Sequence, residues 1–192
     1  MTPGTLVLLH EPFAAATAWG DLPEMLRSYG LDVVAPDVTD GGTRYVARAS
    51  LIIAATAPAT PLVLVAYGAA GPLLPAIALA QRAAHRKVGG YVFVDAELPR
   101  PQRAHDHDHD SGHGHDAVEQ QPPPVPADWP DAPCAYLRTD ADRIPVRPDG
   151  TMAQPDERER ASREASLRGW TVVDHRPPAA VAQSLSELVA TL

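Results

Sequence analysis

The sequence predicts an α/β protein, a three-layer α/β/α sandwich around a mostly parallel six-stranded sheet. Short apolar runs alternate along the chain with amphipathic or alanine-rich stretches, and repeated β-α units of this kind build parallel sheets with right-handed crossovers. The run at residues 61–66 is apolar without a break, which is typical of a strand covered by helices on both faces. A length of 192 residues suits one domain with a substantial core.

Each expected strand is a short apolar run, and the strands fall at residues 6–9, 32–35, 61–66, 90–95, 135–137 and 170–173. The segments between and after them have helical spacing or charged i, i+4 pairs, and the helices fall at residues 14–29, 45–57, 72–86, 156–168 and 178–192. Gly30 suits the end of the first helix. Pro36 ends the second strand, and Pro72 suits a first helical turn.

Residues 100–128 depart from this rhythm, although the chain is otherwise one domain over residues 1–192. The segment has no apolar periodicity and is rich in His, Asp and Pro. Such a composition cannot bury enough apolar surface to offset the entropy of ordering. The sequence therefore predicts a flexible insertion at this point.

Composition narrows the classes of partner. A formal charge of -8 without Lys/Arg clusters argues against nucleic acid, and no apolar segment approaches the length that spans a bilayer. The lone Cys134 excludes an intrachain disulfide and is expected to be a buried apolar group. No basic segment precedes the first apolar run, so a signal peptide is not expected and the predicted location is the cytoplasm. We expect no nucleotide cofactor. The sequence leaves open whether the chain forms a homo-oligomer.

Four blocks together resemble a small bacterial α/β-hydrolase: residues 6–13, 63–78, 90–99 and 129–138. They occur in the family's order with suitable spacing. The resemblance implies the α/β-hydrolase fold, with a nucleophile elbow of the form G-x-S-x-G between a strand and a helix. It also implies an oxyanion turn after the first strand, a helical lid, and a catalytic triad.

The positions matching the family's catalytic machinery are degenerate. At the elbow, residues 66–71, Gly68 stands where the family has serine and Tyr67 where it has histidine. The insertion replaces the lid, so we expect a reduced fold without one. After the last strand the chain passes almost directly into the final helix, which leaves His175 as a displaced remnant of the catalytic histidine. The acid of the triad has two candidates, Asp140 and Asp142.

The oxyanion turn survives in outline, and four residues have positions like those of the family's turn and elbow: His10, Glu11, Tyr67 and Ala69. An anionic Glu11 beside a developing oxyanion would be unfavourable unless its side chain points away. Because removing the nucleophile of a triad costs several orders of magnitude in rate, ordinary serine-hydrolase activity is not expected.

The insertion offers metal ligands instead. Imidazole and carboxylate groups that suit Zn, Ni, Co or Cu alternate along it; they belong to His105, Asp106, His107, Asp108, His109, Asp110, His113 and His115. The alternation does not specify a tetrahedral site, and the alternative is a solvated linker that only replaces the lid.

The insertion and the fold could also form one joint site, because the carboxyl ends of parallel strands border the ligand crevice. The residues at or beyond these ends are His10, Glu11, Asp37, Asp95, Asp140, Asp174 and His175. The alternative is that these acids cap helices and end strands. Two functions follow from the sequence. One is a non-catalytic protein that binds a small molecule or divalent metal; the other is a hydrolase with non-standard, metal-assisted chemistry.

Overall fold

The computed structural model of the chain describes residues 4–100, 123–139, 157–177 and 179–192. Its centre is one six-stranded sheet in the order β2-β1-β3-β4-β5-β6, in which every neighbouring pair is parallel. The strands are β1 (Thr5–Leu9), β2 (Asp32–Val34), β3 (Leu62–Tyr67), β4 (Val88–Val94), β5 (Cys134–Arg138) and β6 (Thr171–Asp174). The predicted fold class is confirmed.

Apolar residues occupy both faces of the central strands, because helices cover the sheet on both sides. In β1, Leu6 and Leu8 pack into one core cluster, while Val7 and Leu9 pack into the cluster on the opposite face. All four are fully buried. The two clusters account for the unbroken apolar runs of the sequence, since a period of two then places no side chain in water.

Five α-helices are described: α1 (Leu22–Ser28), α2 (Gly42–Ala55), α3 (Leu74–Ala83), α4 (Glu157–Leu167) and α5 (Val181–Ala190). Helices α1 and α5 contribute to one core cluster, and α2, α3 and α4 contribute to the other. This arrangement is the predicted three-layer sandwich. Among the described residues, no helix has the length and apolar character needed to cross a membrane.

Two helices differ from their predicted form. The single helix expected over residues 14–29 is a 3-10 helix, Ala16–Trp19, followed by α1. The break falls at Gly20, whose φ of 53° is incompatible with a right-handed helix. Pro72 lies inside a second 3-10 helix, Gly68–Leu73, and α3 begins only after it.

The strand order creates a crevice between β1 and β3. From β1 the chain moves outward to β2 and then returns to form β3 on the other side of β1. Helix α1, which follows β1, lies on one face of the sheet, whereas α3, which follows β3, lies on the opposite face. The loops leaving β1 and β3 therefore diverge at the carboxyl edge, where ligands bind in open α/β sheets.

The connection from β4 to β5 is anchored to α3 and β4 by two aspartates. In its described parts, residues 95–100 and 123–133, it forms no helix. Arg82 of α3 contacts the carboxylates of Asp128 (3.2 Å) and Asp131 (2.6 Å), and the Tyr91 hydroxyl donates to Asp131 (2.6 Å). Cys134, which follows, is buried as expected, and burial raises the pKa of its thiol to about 12.

Candidate functional site

The elbow lies at the end of β3, where the strand turns directly into the 3-10 helix Gly68–Leu73. Gly68, at the tip of the turn, has a φ of 54°. This left-handed conformation is strained for residues with a side chain and costs glycine nothing. The backbone thus keeps the sharp strand-to-helix turn of a nucleophile elbow, without a nucleophile on it.

The Glu11 side chain takes the place of the absent serine side chain. A Cβ built on Gly68 would overlap the Glu11 carboxyl oxygen and would lie 2.5 Å from its carboxyl carbon and 2.6 Å from its Cγ. Glu11 belongs to the turn after β1 and is half-buried. From the sequence alone, the Glu11 side chain could point towards the elbow or away from it. In the structure it points towards the elbow. A negatively charged carboxylate here would repel an oxyanion formed at the same turn and so destabilise it.

The segment after β4 closes over the elbow. The backbone N–H of Glu97 donates to the Gly68 carbonyl at 3.0 Å, and the Glu97 carbonyl occupies the space that a Cβ on Gly71 would need. Two residues earlier, Asp95 has a φ of 46° and is almost fully buried. Its carboxylate accepts hydrogen bonds from the Thr139 backbone N–H (3.0 Å) and the Thr139 hydroxyl.

A cavity of about 390 Å³ lies at this junction, within the size range of small-molecule sites. Its lining residues come from the turn after β1, the elbow, the segment after β4 and the start of α4: Glu11, Gly68, Ala69, Asp95, Ala96, Glu97, Glu157 and Arg158. Glu97, Glu157 and Arg158 were not among the predicted site residues. No local pattern marks them, because they reach the cavity only through the tertiary fold.

His10 has a structural role. Its ring is fully buried, its Nδ1 lies 2.8 Å from the Glu11 carbonyl, and its Nε2 accepts the Val38 N–H at 3.2 Å. The Tyr45 hydroxyl donates to the His10 carbonyl at 2.6 Å. Both ring nitrogens are thus engaged by backbone groups. His10 therefore fixes the turn that carries Glu11.

The other residues expected at the strand ends are also engaged within the protein. Asp37 accepts the Ala16 N–H at 2.7 Å, and Asp174 forms a two-pronged ion pair with Arg138 at 3.0 and 3.1 Å. The buried His175 places its Nδ1 3.0 Å from the Ser184 hydroxyl of α5. His175 is not among the residues that line the cavity.

Comparison with known proteins gives the fold. No protein-family model matches the chain, and no curated protein sequence does either. Solved structures do match. One is an extracellular α/β-hydrolase from a Paenibacillus species described as sharing structural and functional homology with tobacco salicylic acid binding protein 2; its TM-score is 0.59 at 17% identity, over 98% of both chains.

A second is tomato methylketone synthase I complexed with 2-tridecanone, with a TM-score of 0.60 at 14% identity, over 100% of this chain and 99% of that one. A third is the NocB thioesterase domain in covalent complex with a fluorophosphonate nocardicin G analogue; its TM-score is 0.55 at 20% identity, over 98% and 95% of the two chains. The chain has a reduced α/β-hydrolase fold.

On this α/β-hydrolase fold, the elbow and the turn after β1 are the predicted oxyanion-turn and nucleophile positions that the described residues include. Asp140, Asp142 and the metal candidates of the insertion lie outside the described residues: His105, Asp106, His107, Asp108, His109, Asp110, His113 and His115. Within the described ranges, no group of three or more His, Cys, Asp or Glu side chains is arranged to hold a metal ion.

Proposed function

We propose that this chain is a catalytically degenerate α/β-hydrolase-fold protein that binds a small ligand in the crevice at the elbow. The observation that carries the proposal is the position of the Glu11 carboxylate in the space of the missing serine side chain at Gly68. The elbow lacks a hydroxyl nucleophile, and the Glu11 side chain fills the space that a serine side chain would need. The cavity of about 390 Å³ beside it supports ligand binding.

The absence of serine-hydrolase chemistry is tested with a fluorophosphonate probe and with p-nitrophenyl butyrate. We expect no covalent labelling and no turnover above the uncatalysed rate. The NocB thioesterase domain, which forms a covalent complex with a fluorophosphonate, is the positive control. Labelling of the wild-type chain would overturn the proposal, and mass spectrometry of the adduct would identify the nucleophile.

We also propose that the His/Asp run of the insertion binds divalent transition metals. Five of the eight histidines lie within residues 105–115, alternating with aspartates, a composition that favours Zn, Ni, Co or Cu. Calorimetric titration of Zn(II) and Ni(II) into the wild type and into a variant lacking residues 104–116 tests this. Equal affinity in the two proteins would exclude the run as the site.

The second candidate function, metal-assisted hydrolysis, is supported only by the combination of this run with a hydrolase fold. It predicts that Zn(II), Co(II) or Ni(II) induces turnover of p-nitrophenyl butyrate and that a chelator abolishes it. The same turnover in the variant lacking residues 104–116 would contradict it, because the metal would then act elsewhere.

A further inference from the structure

The Glu11 carboxylate is half-buried at the elbow. Within the described part of the chain, no side chain or backbone group forms a hydrogen bond or ion pair with its oxygens. It lines the cavity together with Gly68 and Ala69. Withdrawing an unpaired charge from water costs free energy, and a bound group that donates hydrogen bonds would recover it.

The other polar groups of the crevice cannot take this role. Both carboxylate oxygens of Asp95 are engaged by Thr139, and both ring nitrogens of His10 are engaged by the turns after β1 and β2. Glu97 and Glu157, which also line the cavity, are exposed and carry the same sign of charge as Glu11. With Asp95, the lining holds four carboxylates against the one guanidinium of Arg158, so its net negative charge favours a cation over an anion.

We propose that the cavity binds a small organic cation whose primary ammonium or guanidinium group donates hydrogen bonds to the Glu11 carboxylate. This inference rests on the proposed function and names the ligand class of the same crevice. Charge-assisted hydrogen bonds of this kind are the strong polar contacts of protein sites. Gly68 is required because any side chain there would displace the carboxylate that receives the cation.

The test uses three probes of matched size: butylammonium, 1-butanol and butanoate. Each is titrated into the ¹⁵N-labelled protein while the amide resonances of Gly68 and Ala69 are followed by NMR. We expect butylammonium to bind at least about tenfold more tightly than 1-butanol, and butanoate more weakly than either. The variant Glu11→Gln should lose about tenfold in butylammonium affinity, and Glu11→Asp, which keeps the charge but retracts it, should lose less.

Glu187→Gln is the matched control, because it makes the same change in net charge at an exposed residue of α5 that pairs with Gln183. It should leave butylammonium affinity unchanged. Equal affinity of wild type and Glu11→Gln, or equal binding of the three probes, would overturn the inference. In that case, absence of fluorophosphonate labelling of the wild type would still support the proposed lack of serine-hydrolase chemistry. Failure of the cation inference is thus distinguishable from failure of the proposed function.

Discussion

The Glu11 carboxylate occupies the volume that a Cβ on Gly68 would fill. The two residues come from different turns, Glu11 from the end of β1 and Gly68 from the end of β3, and they meet because β1 and β3 are adjacent parallel strands. The side chain of one turn therefore fills the space that a side chain on the other turn would need, so substitutions at the two positions should be coupled.

Gly68→Ser is expected to destabilise the protein without restoring ester hydrolysis. The new side chain would clash with the Glu11 carboxylate, and serine would have to adopt a φ of 54°. We expect a loss of about 1–3 kcal/mol in the free energy of unfolding. Urea denaturation measures the stability, and fluorophosphonate labelling reports any gain of nucleophilicity.

Adding Glu11→Ala to Gly68→Ser removes the clash but not the backbone strain. The double variant should recover part of the lost stability, so that the two substitutions are non-additive, as expected for residues in direct contact. Strict additivity of the two changes would contradict the overlap of the Glu11 side chain with the Gly68 Cβ position.

Gly71→Ala should destabilise the protein through crowding alone. The added methyl would meet the backbone carbonyl of Glu97, in the segment that closes over the elbow, and we expect a cost of about 1–3 kcal/mol. Gly90→Ala is the matched control, since its methyl would lie 2.8 Å from the Leu192 Cδ1, the end of a side chain that can move. The control should cost less than about 1 kcal/mol, and urea denaturation of both variants checks the difference.

Asp95 is expected to be a stabilising residue of the crevice wall. Asp95→Ala removes the acceptor for the Thr139 N–H and hydroxyl and leaves alanine at a φ of 46°, so we expect a loss of about 2–3 kcal/mol. Asp95→Asn keeps an oxygen acceptor for the N–H and tolerates the left-handed conformation, and should lose about 1 kcal/mol. Equal losses in urea denaturation would show that the carboxamide cannot replace these hydrogen bonds.

The sequence predicts the sheet well, because burial on both faces demands apolar residues at every position of a central strand. The run at residues 61–66 falls on β3 within one residue at each end. The direction of the Glu11 side chain could not be predicted. It depends on how the turn after β1 is fixed by His10 and Val38, a contact between distant parts of the chain. Arg158 likewise reaches the cavity only because α4 packs beside β5.

Metal binding by the chain is expected to be independent of His10. Coordination through its Nε2 would break the hydrogen bond from the Val38 N–H and leave that donor unsatisfied in a buried place. Calorimetric titration of Zn(II) should therefore give the same affinity for wild type and His10→Asn. A loss of affinity in this variant, with affinity kept in the control His85→Asn, would instead support a joint site of His10 and the insertion.

Asp131 should contribute to the acid sensitivity of the protein. Burial raises the pKa of this carboxyl, but the hydrogen bond from Tyr91 and the charge of Arg82 outweigh it, and the net pKa lies below the ordinary value. A depressed pKa stabilises the folded state above the unfolded pKa of about 4, and this contribution is lost as the pH falls through the folded value.

The variant Asp131→Asn should accordingly be less stable than wild type at pH 7, by about 1–2 kcal/mol, and the difference should shrink towards pH 2. Glu24→Gln is the control, because Glu24 pairs with Arg27 at an exposed site where ion pairs contribute little. Urea denaturation across this pH range measures both. Only an ionised Asp131 carboxylate makes this stability difference depend on pH. A difference between Asp131→Asn and wild type that stays constant from pH 7 to pH 2 would therefore contradict the prediction and assign the lost stability to packing of the loop.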